Sequence, residues 1–406
     1  MDSSLKLGFH SSSFSLTSRK LHSPINHPLK QQLPIIDSSN INLKSKTILA
    51  VSSNRHLTAM AKLKKKPIDG VSEELNLIAS QDLDHAPARR GVRAAFAEVQ
   101  QQLDHPLFKL APAGISTQEW YGRNSKGLEI FFKKWMPPPD VQIKGAVFFC
   151  HGYGDTCTFF FEGIAKRLAV CGYIIYALDH PGFGLSEGLH GYIPSFDDLV
   201  DNVIEQYTKI KGSPELRGLP CFLFGQSMGG AVALKVHLKE PNAWDGIILV
   251  APMCRIADDV KPPLLVLNAL TLLARVLPKA KLVPQKDLSE VFIRDLKTRK
   301  MADYNVISYN DKTRLRTAVE LLKATEDIEA QLEKVSSPLL VLHGAADKVT
   351  DPLVSQFLYE RASSKDKTLK LYEEGYHCIL EGEPGDRIYA IFDDITSWLD
   401  LRSSNK

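Results

Sequence analysis

The sequence predicts an α/β fold: a mostly parallel central sheet with helices on both faces and an inserted helical cap. Three observations carry this reading. Short continuous apolar runs ("GAVFFC", "YIIYALD", "CFLFG", "GIILVAP", "PLLVLHG") recur between Gly and Pro residues, and strands this apolar on both sides belong to a sheet covered on both faces. Amphipathic stretches of helical period, such as "FDDLVDNVIEQYTKI", separate them, which is the alternation that builds parallel crossovers. The alternation stops at Pro252 and resumes at residue 338.

Taken in order, residues 1 to 60 carry 13 serines and seven Lys/Arg against two Asp/Glu, with no apolar run long enough for a signal peptide. Serine-rich, basic and acid-poor is the composition of an organelle transit peptide. The segment is expected to be a chloroplast address removed between residues 50 and 60. A plain disordered extension, or a cytosolic form started at Met60, are the alternatives. Residues 61 to 406 carry 43 Lys/Arg against 45 Asp/Glu, a balance that gives no footprint for nucleic acid. Residues 61 to 115 form a lead-in with two helical patterns, "SEELNLIAS" and "ARRGVRAAFAEVQQQLDHP". The first part of the core, residues 116 to 252, opens with two strands around a turn at residues 124 to 127.

Residues 253 to 335 hold helical patterns and no convincing strand, and are expected to be the cap or lid. Within it, residues 262 to 274 contain no charge. Thirteen residues are too few to span a bilayer, which takes about twenty. A buried core helix is the default reading, and an exposed lid helix touching lipid is the alternative. Residues 336 to 406 complete the core with "PLLVLHG", a helix from Pro352, the strand "KTLKLYEE" and a final helix. The six cysteines show neither a CxxC pair nor zinc spacing, and read as small buried hydrophobes.

Two stretches fit Gly-x-Ser-x-Gly: "GLSEG" at residues 184 to 188 and "GQSMG" at 225 to 229. The physical content of that pattern is a strand running through a sharp turn into a helix. Ser186 has neither flank. Its surroundings, "DHPGFGLSEGLHGYIP", mark a loop, where a serine hydroxyl bonds nearby backbone. Ser227 follows the strand "PCFLF" and precedes the helix "GAVALKVHL", whose N-terminal amides favour negative charge. Ser227 is therefore the expected nucleophile.

A serine hydroxyl needs a base, and the base needs an orienting acid. In this strand–turn–helix architecture they follow in the order acid, then histidine, after later strands. Asp347 after "VLHG" and His377 in "GYHCIL" occupy those places. Asp351 competes, but "TDP" before a helix makes it an N-cap with proline at the first helical position. His343 ends a strand and reads as structural, His180 and His190 precede the nucleophile in the chain, and His237 lies within a helix. For the developing oxyanion, the glycine-rich loop "HGYGD" and the start of the helix after Ser227 supply the amides of Tyr153 and Met228. His151 is expected to shape that loop by hydrogen bonding.

Together, "FFCHGYGDTCTFFFEGIAKRLA", "YALDHPGFGLSEGLHGYIPSFDDLVDNV", "FGQSMGGAVALK", "LLVLHGAADKVTDP" and "EEGYHCILEGEP" resemble the α/β-hydrolase fold. Within it they resemble the plant monoacylglycerol lipase-like group, which includes caffeoylshikimate esterase. The resemblance covers residues 85 to 402 or so. It implies Ser227, Asp347 and His377 as the triad, Tyr153 and Met228 at the oxyanion hole, a cap over an apolar acyl pocket, and no cofactor. The expected reaction is hydrolysis of a small-molecule ester, foremost monoacylglycerol to glycerol and fatty acid through an acyl-serine. A hydroxycinnamoyl ester as substrate, and acyl transfer to an alcohol, are the alternatives. A ligand-binding receptor of the same fold is the non-enzymatic reading, and an intact serine, acid and histidine set argues against it. The cap is the expected site of any peripheral membrane contact. The sequence is silent on oligomeric state.

Overall fold

The computed structural model describes residues 67–109, 114–255, 263–283 and 289–404. The expected transit segment and the alternative start at Met60 lie outside the described residues. The lead-in forms α1 (Glu73–Ala79), α2 (Ala86–Gln101) and α3 (Pro106–Lys109), followed by β1 (Ser116–Arg123), β2 (Glu129–Met136) and β3 (Gly145–Cys150). Then come α4 (Phe160–Val170), β4 (Tyr173–Leu178), α5 (Phe196–Lys211), β5 (Cys221–Gln226), α6 (Met228–Lys239) and β6 (Gly246–Val250).

The segment after β6 contains α7 (Leu264–Val276), β7 (Lys281–Val283), α8 (Ser289–Phe292), α9 (Leu296–Ala302), β8 (Thr313–Arg314) and α10 (Leu315–Glu329). The main alternation then closes with β9 (Leu339–Gly344), α11 (Pro352–Arg361), β10 (Lys367–Tyr372) and α12 (Gly385–Ser403).

The main sheet runs β1-β2-β4-β3-β5-β6-β9-β10. The β1–β2 and β2–β4 pairings are antiparallel and the others parallel. Residues alternate between the two faces with the period of a strand. Ala146, Phe148 and Cys150 pack with α5, α6, α10 and α11 on one side. Val147 and Phe149 pack with α2, α4 and α12 on the other. Every residue of β3, β4, β5, β6 and β9 is buried, which is why these runs carry no polar alternation. The chain leaves β3 to one side for β4 and returns to the other for β5. The loops after β3 and β5 therefore flank a crevice at the carboxyl edge, where such sheets bind ligands.

Two expectations change in the segment between β6 and β9. It contains a short antiparallel pair, Lys281↔Arg314 and Val283↔Thr313, where no strand was expected. Strands of two and three residues are too short to show a period, and this one is fixed instead by Arg314. That buried guanidinium donates to His190 O at 2.9 Å and Lys279 O at 2.7 Å, and pairs with Asp84 at 2.7 Å. The default core reading of the uncharged run also fails over its described part, residues 263 to 274. In α7 only Ala274 is buried, while Leu264 is 71% and Leu265 84% exposed. No helix among the described residues is long and apolar enough to cross a membrane.

Candidate active site

Ser227 sits between β5 and α6 at φ 53° and ψ −118°, a left-handed backbone that costs an L-residue of order 1–3 kcal/mol. The surroundings hold it there. Its N–H donates to Val250 O at 2.9 Å, and its carbonyl accepts from Gly230 N at 2.9 Å and Met253 N at 3.0 Å. The motif glycines are required by contact. A Cβ on Gly225 would lie 2.3 Å from Gly229 O, and one on Gly229 would lie 1.9 Å from Cys150 O. The helix thus starts against the sheet with Ser227 raised over its edge.

The structure brings Ser227, His377 and Asp347 into one hydrogen-bonded chain. His377 Nε2 lies 3.0 Å from Ser227 Oγ and Nδ1 lies 2.7 Å from Asp347 Oδ2. With a carboxylate at Nδ1, that nitrogen carries the proton and leaves Nε2 free to accept from the serine. Phe292 meets the His377 ring edge-on at 5.0 Å. Asp347 is saturated as an acceptor. Its Oδ1 takes the amides of Val349 at 2.7 Å and Thr350 at 3.1 Å, and its Oδ2 also takes Thr350 Oγ1 at 2.9 Å and His343 Nε2 at 3.0 Å. Burial opposes ionisation here, but the donors from His343 and His377 outweigh it and hold the carboxyl well below the usual range.

His343 goes beyond the role its position suggested. Its Nε2 faces two acceptors, Asp347 Oδ2 and Thr350 O at 2.9 Å, so it carries the proton there, and Nδ1 accepts from Ser355 Oγ at 2.6 Å. Asp351 caps α11 as expected, its Oδ1 accepting from Leu353 N at 2.9 Å. His237 is buried in α6, with Nε2 accepting from Ser336 N at 3.1 Å.

The "HGYGD" loop lies against the serine, and a Cβ on Gly152 would touch Ser227 Cβ at 3.4 Å. His151 bridges the loop as expected: Nδ1 donates to Gly152 O at 2.8 Å, and Nε2 accepts from His180 N at 2.9 Å. Tyr153 follows Gly152 on the β3 loop and Met228 opens α6, on the two sides of the crevice. Among the described residues, neither amide donates to a loop or turn carbonyl.

Ser186 is no rival. It is buried, accepts from Phe131 N at 2.8 Å and donates to Asp179 O at 2.6 Å. Its loop is held by Arg89 of α2, a residue that the sequence reading passed over. Fully buried, Arg89 donates to Ser186 O at 2.6 Å, Gly184 O at 2.5 Å and Leu83 O at 2.9 Å, and burial pulls its pKa down to about 10. All six cysteines are free, four of them buried.

Ser227 and His377 open into a cavity of about 560 Å³, also lined by Gly152, Tyr153, Phe292 and Glu381. Ile68, Asn76 and Ala79 of the lead-in complete its wall. This arrangement can generate a serine alkoxide beside a half-open cavity with room for an acyl group.

A family model, Hydrolase_4, described as serine aminopeptidase, S33, matches residues 141–385. Caffeoylshikimate esterase of Arabidopsis thaliana is 34% identical over 288 residues, covering 71% of this chain and 86% of that protein. Monoglyceride lipase of Homo sapiens is 30% identical over 281 residues, covering 69% and 90%. Among solved structures, the monoacylglycerol lipase of Paleococcus ferrophilus superposes with a TM-score of 0.57 at 24% identity, over 67% of this chain and 99% of that one. A soluble variant of Saccharomyces cerevisiae monoglyceride lipase, in complex with a substrate analog, gives 0.59 at 22% identity over 71% and 95%. These two share the fold.

Proposed function

We propose, for a chain that belongs to the Hydrolase_4 family of α/β-hydrolases, that it cleaves carboxylic esters through an acyl-serine at Ser227, with monoacylglycerol as the substrate. The observation that carries the reading is the continuous Ser227–His377–Asp347 hydrogen-bond chain, whose serine and histidine line the cavity. His377 Nε2 takes the Ser227 proton as Oγ attacks the ester carbonyl. The amides of Tyr153 and Met228 receive the oxyanion. His377 then gives its proton to the departing alkoxide and next activates water to release the acid, while Asp347 holds its tautomer and stabilises the imidazolium.

The family description names a peptidase, but its 34% and 30% identical relatives are named as an esterase and a lipase, which favours esters. The lipid preference rests on α7, whose exposed Leu264, Leu265 and Val276 suit a lipid surface. A hydroxycinnamoyl ester is the second reading, favoured by the 34% identity to caffeoylshikimate esterase. The test gives the full chain monooleoylglycerol and caffeoylshikimate side by side, with Ser227→Ala as control. Serine-dependent glycerol release without caffeate is the expected result. Caffeate alone would move the substrate to phenolic esters, and full activity in Ser227→Ala would discard the mechanism. Comparing free acid with new ester when glycerol is added separates hydrolysis from acyl transfer.

For location, the composition of residues 1 to 60 supports a plastid address. Import and shortening of the chain by isolated chloroplasts is the expected outcome. Recovery at full length outside them would favour the cytosol.

A further inference from the structure

The cavity over Ser227 contains a carboxyl that ester chemistry leaves unused. Glu381 is 6% exposed and lines the same cavity as Ser227 and His377. The residues next to the reacting pair fix it. Gln226, immediately before Ser227, donates its amide to Glu381 Oε1 at 2.8 Å. Cys378, immediately after His377, accepts the Glu381 amide at 3.3 Å and sets a thiol, a weak donor, beside the carboxyl. The Glu381 carbonyl accepts from His105 Nε2 at 3.0 Å. Oε2, by contrast, has no hydrogen-bond partner among the described residues. A buried acceptor left open costs about 1–3 kcal/mol, so the missing donor calls for an explanation.

The surroundings limit what that donor is. Asp155 lines the same cavity and accepts from Asn305 Nδ2 at 3.0 Å. Burial first, then the nearby Asp155 charge, push the Glu381 carboxyl up to about 7 against the pull of Gln226. Arg299, a cation in the wall, is turned to Ile293 O at 3.0 Å and Glu290 O at 3.2 Å. Among the described residues no cation pairs with either acid. A ligand carboxylate would meet two acids there. A quaternary ammonium would bring charge but no donor, whereas a hydroxyl both donates and accepts.

We propose that Glu381 forms the alcohol end of the site, where Oε2 hydrogen-bonds a hydroxyl of a neutral polyol leaving group. The inference rests on Ser227 being the nucleophile, and it selects glycerol esters over esters of alcohols that carry a carboxylate, such as shikimate.

The experiment compares kcat/KM for monooleoylglycerol and propyl oleate, the same acyl group on three carbons with and without hydroxyls. It uses the full chain as wild type, Glu381→Gln and Glu381→Leu. Wild type is expected to favour the glycerol ester at least tenfold. Glu381→Leu is expected to lower that ratio at least tenfold, and the isosteric Glu381→Gln at least threefold. The Gln variant decides the matter should the Leu variant fail to fold. An unchanged ratio, including an equal loss on both esters, would overturn the assignment while leaving the ester reading intact. Wild-type cleavage of neither oleate ester would overturn both.

Discussion

Replacing Asp347 by Asn tests the orientation of the base with little change of volume. The side chain accepts five hydrogen bonds, two at Oδ1 from backbone amides and three at Oδ2 from His377, His343 and Thr350. Asn has only one oxygen. The backbone amides cannot turn away, so the oxygen stays at the Oδ1 place and the NH2 faces Oδ2's donors. His343 retains an acceptor in Thr350 O at 2.9 Å, and the Thr350 hydroxyl retains Ala251 O at 3.2 Å. His377 yields by moving its proton to Nε2, where it points at Ser227 Oγ and can no longer accept. The loss is that of a wrong tautomer in a serine triad, about 10⁴ in kcat, or roughly 5 kcal/mol of barrier. Steady-state hydrolysis of monooleoylglycerol, with KM changing little, is the assay. A loss below tenfold in a folded variant would mean that another carboxylate orients His377. The same substitution has a stability signature. The folded carboxyl lies below its unfolded value, so its contribution is present above pH 4 and is lost as pH falls through the folded value. The Asn variant is expected to lack that part of the acid limb in unfolding experiments.

Two further outcomes are expected. Arg89→Met strips donors from at least three buried carbonyls and is expected to cost roughly 3–5 kcal/mol. Urea unfolding measures it, and a change under about 1 kcal/mol would show that the loop around Ser186 holds without α2. Leu265→Asp combined with Leu272→Asp removes two side chains that are 84% and 64% exposed, each worth about 2 kcal/mol when buried. Sedimentation with phosphatidylcholine vesicles at low salt is expected to fall at least tenfold, and unchanged sedimentation would leave α7 no role at a lipid surface.

The centre of the sheet was legible because β3, β4, β5, β6 and β9 are buried on both faces and so read as unbroken apolar runs. Ser227 stood out from Ser186 because only one of the two motifs has a strand before it and a helix after it. Asp347 and His377 followed from chain order. The remainder depends on distance in space, which a single chain does not display. In "ARRGVR" nothing tells which arginine is buried, since two of the three carbonyls that hold Arg89 lie 95 and 97 residues away. His343 reaches Asp347 through an irregular turn whose spacing has no period. Nor does apolarity alone separate a core helix from an exposed one. Helix α7 is apolar around most of its circumference, the pattern of a buried helix, and yet it lies open.

The backbone at Ser227 sets reactivity against durability at a single dihedral. A φ of 53° suits glycine, which would relieve the strain at the cost of the hydroxyl. A Ser227→Gly chain is thus expected to be inert and yet to melt above its parent, while Ser227→Ala keeps the strained conformation and gains nothing comparable. Selection for stability alone would erode this position first. Retention of serine in such a turn is therefore a record of use, and a screen for heat-resistant variants that ignored turnover would return dead protein from this site.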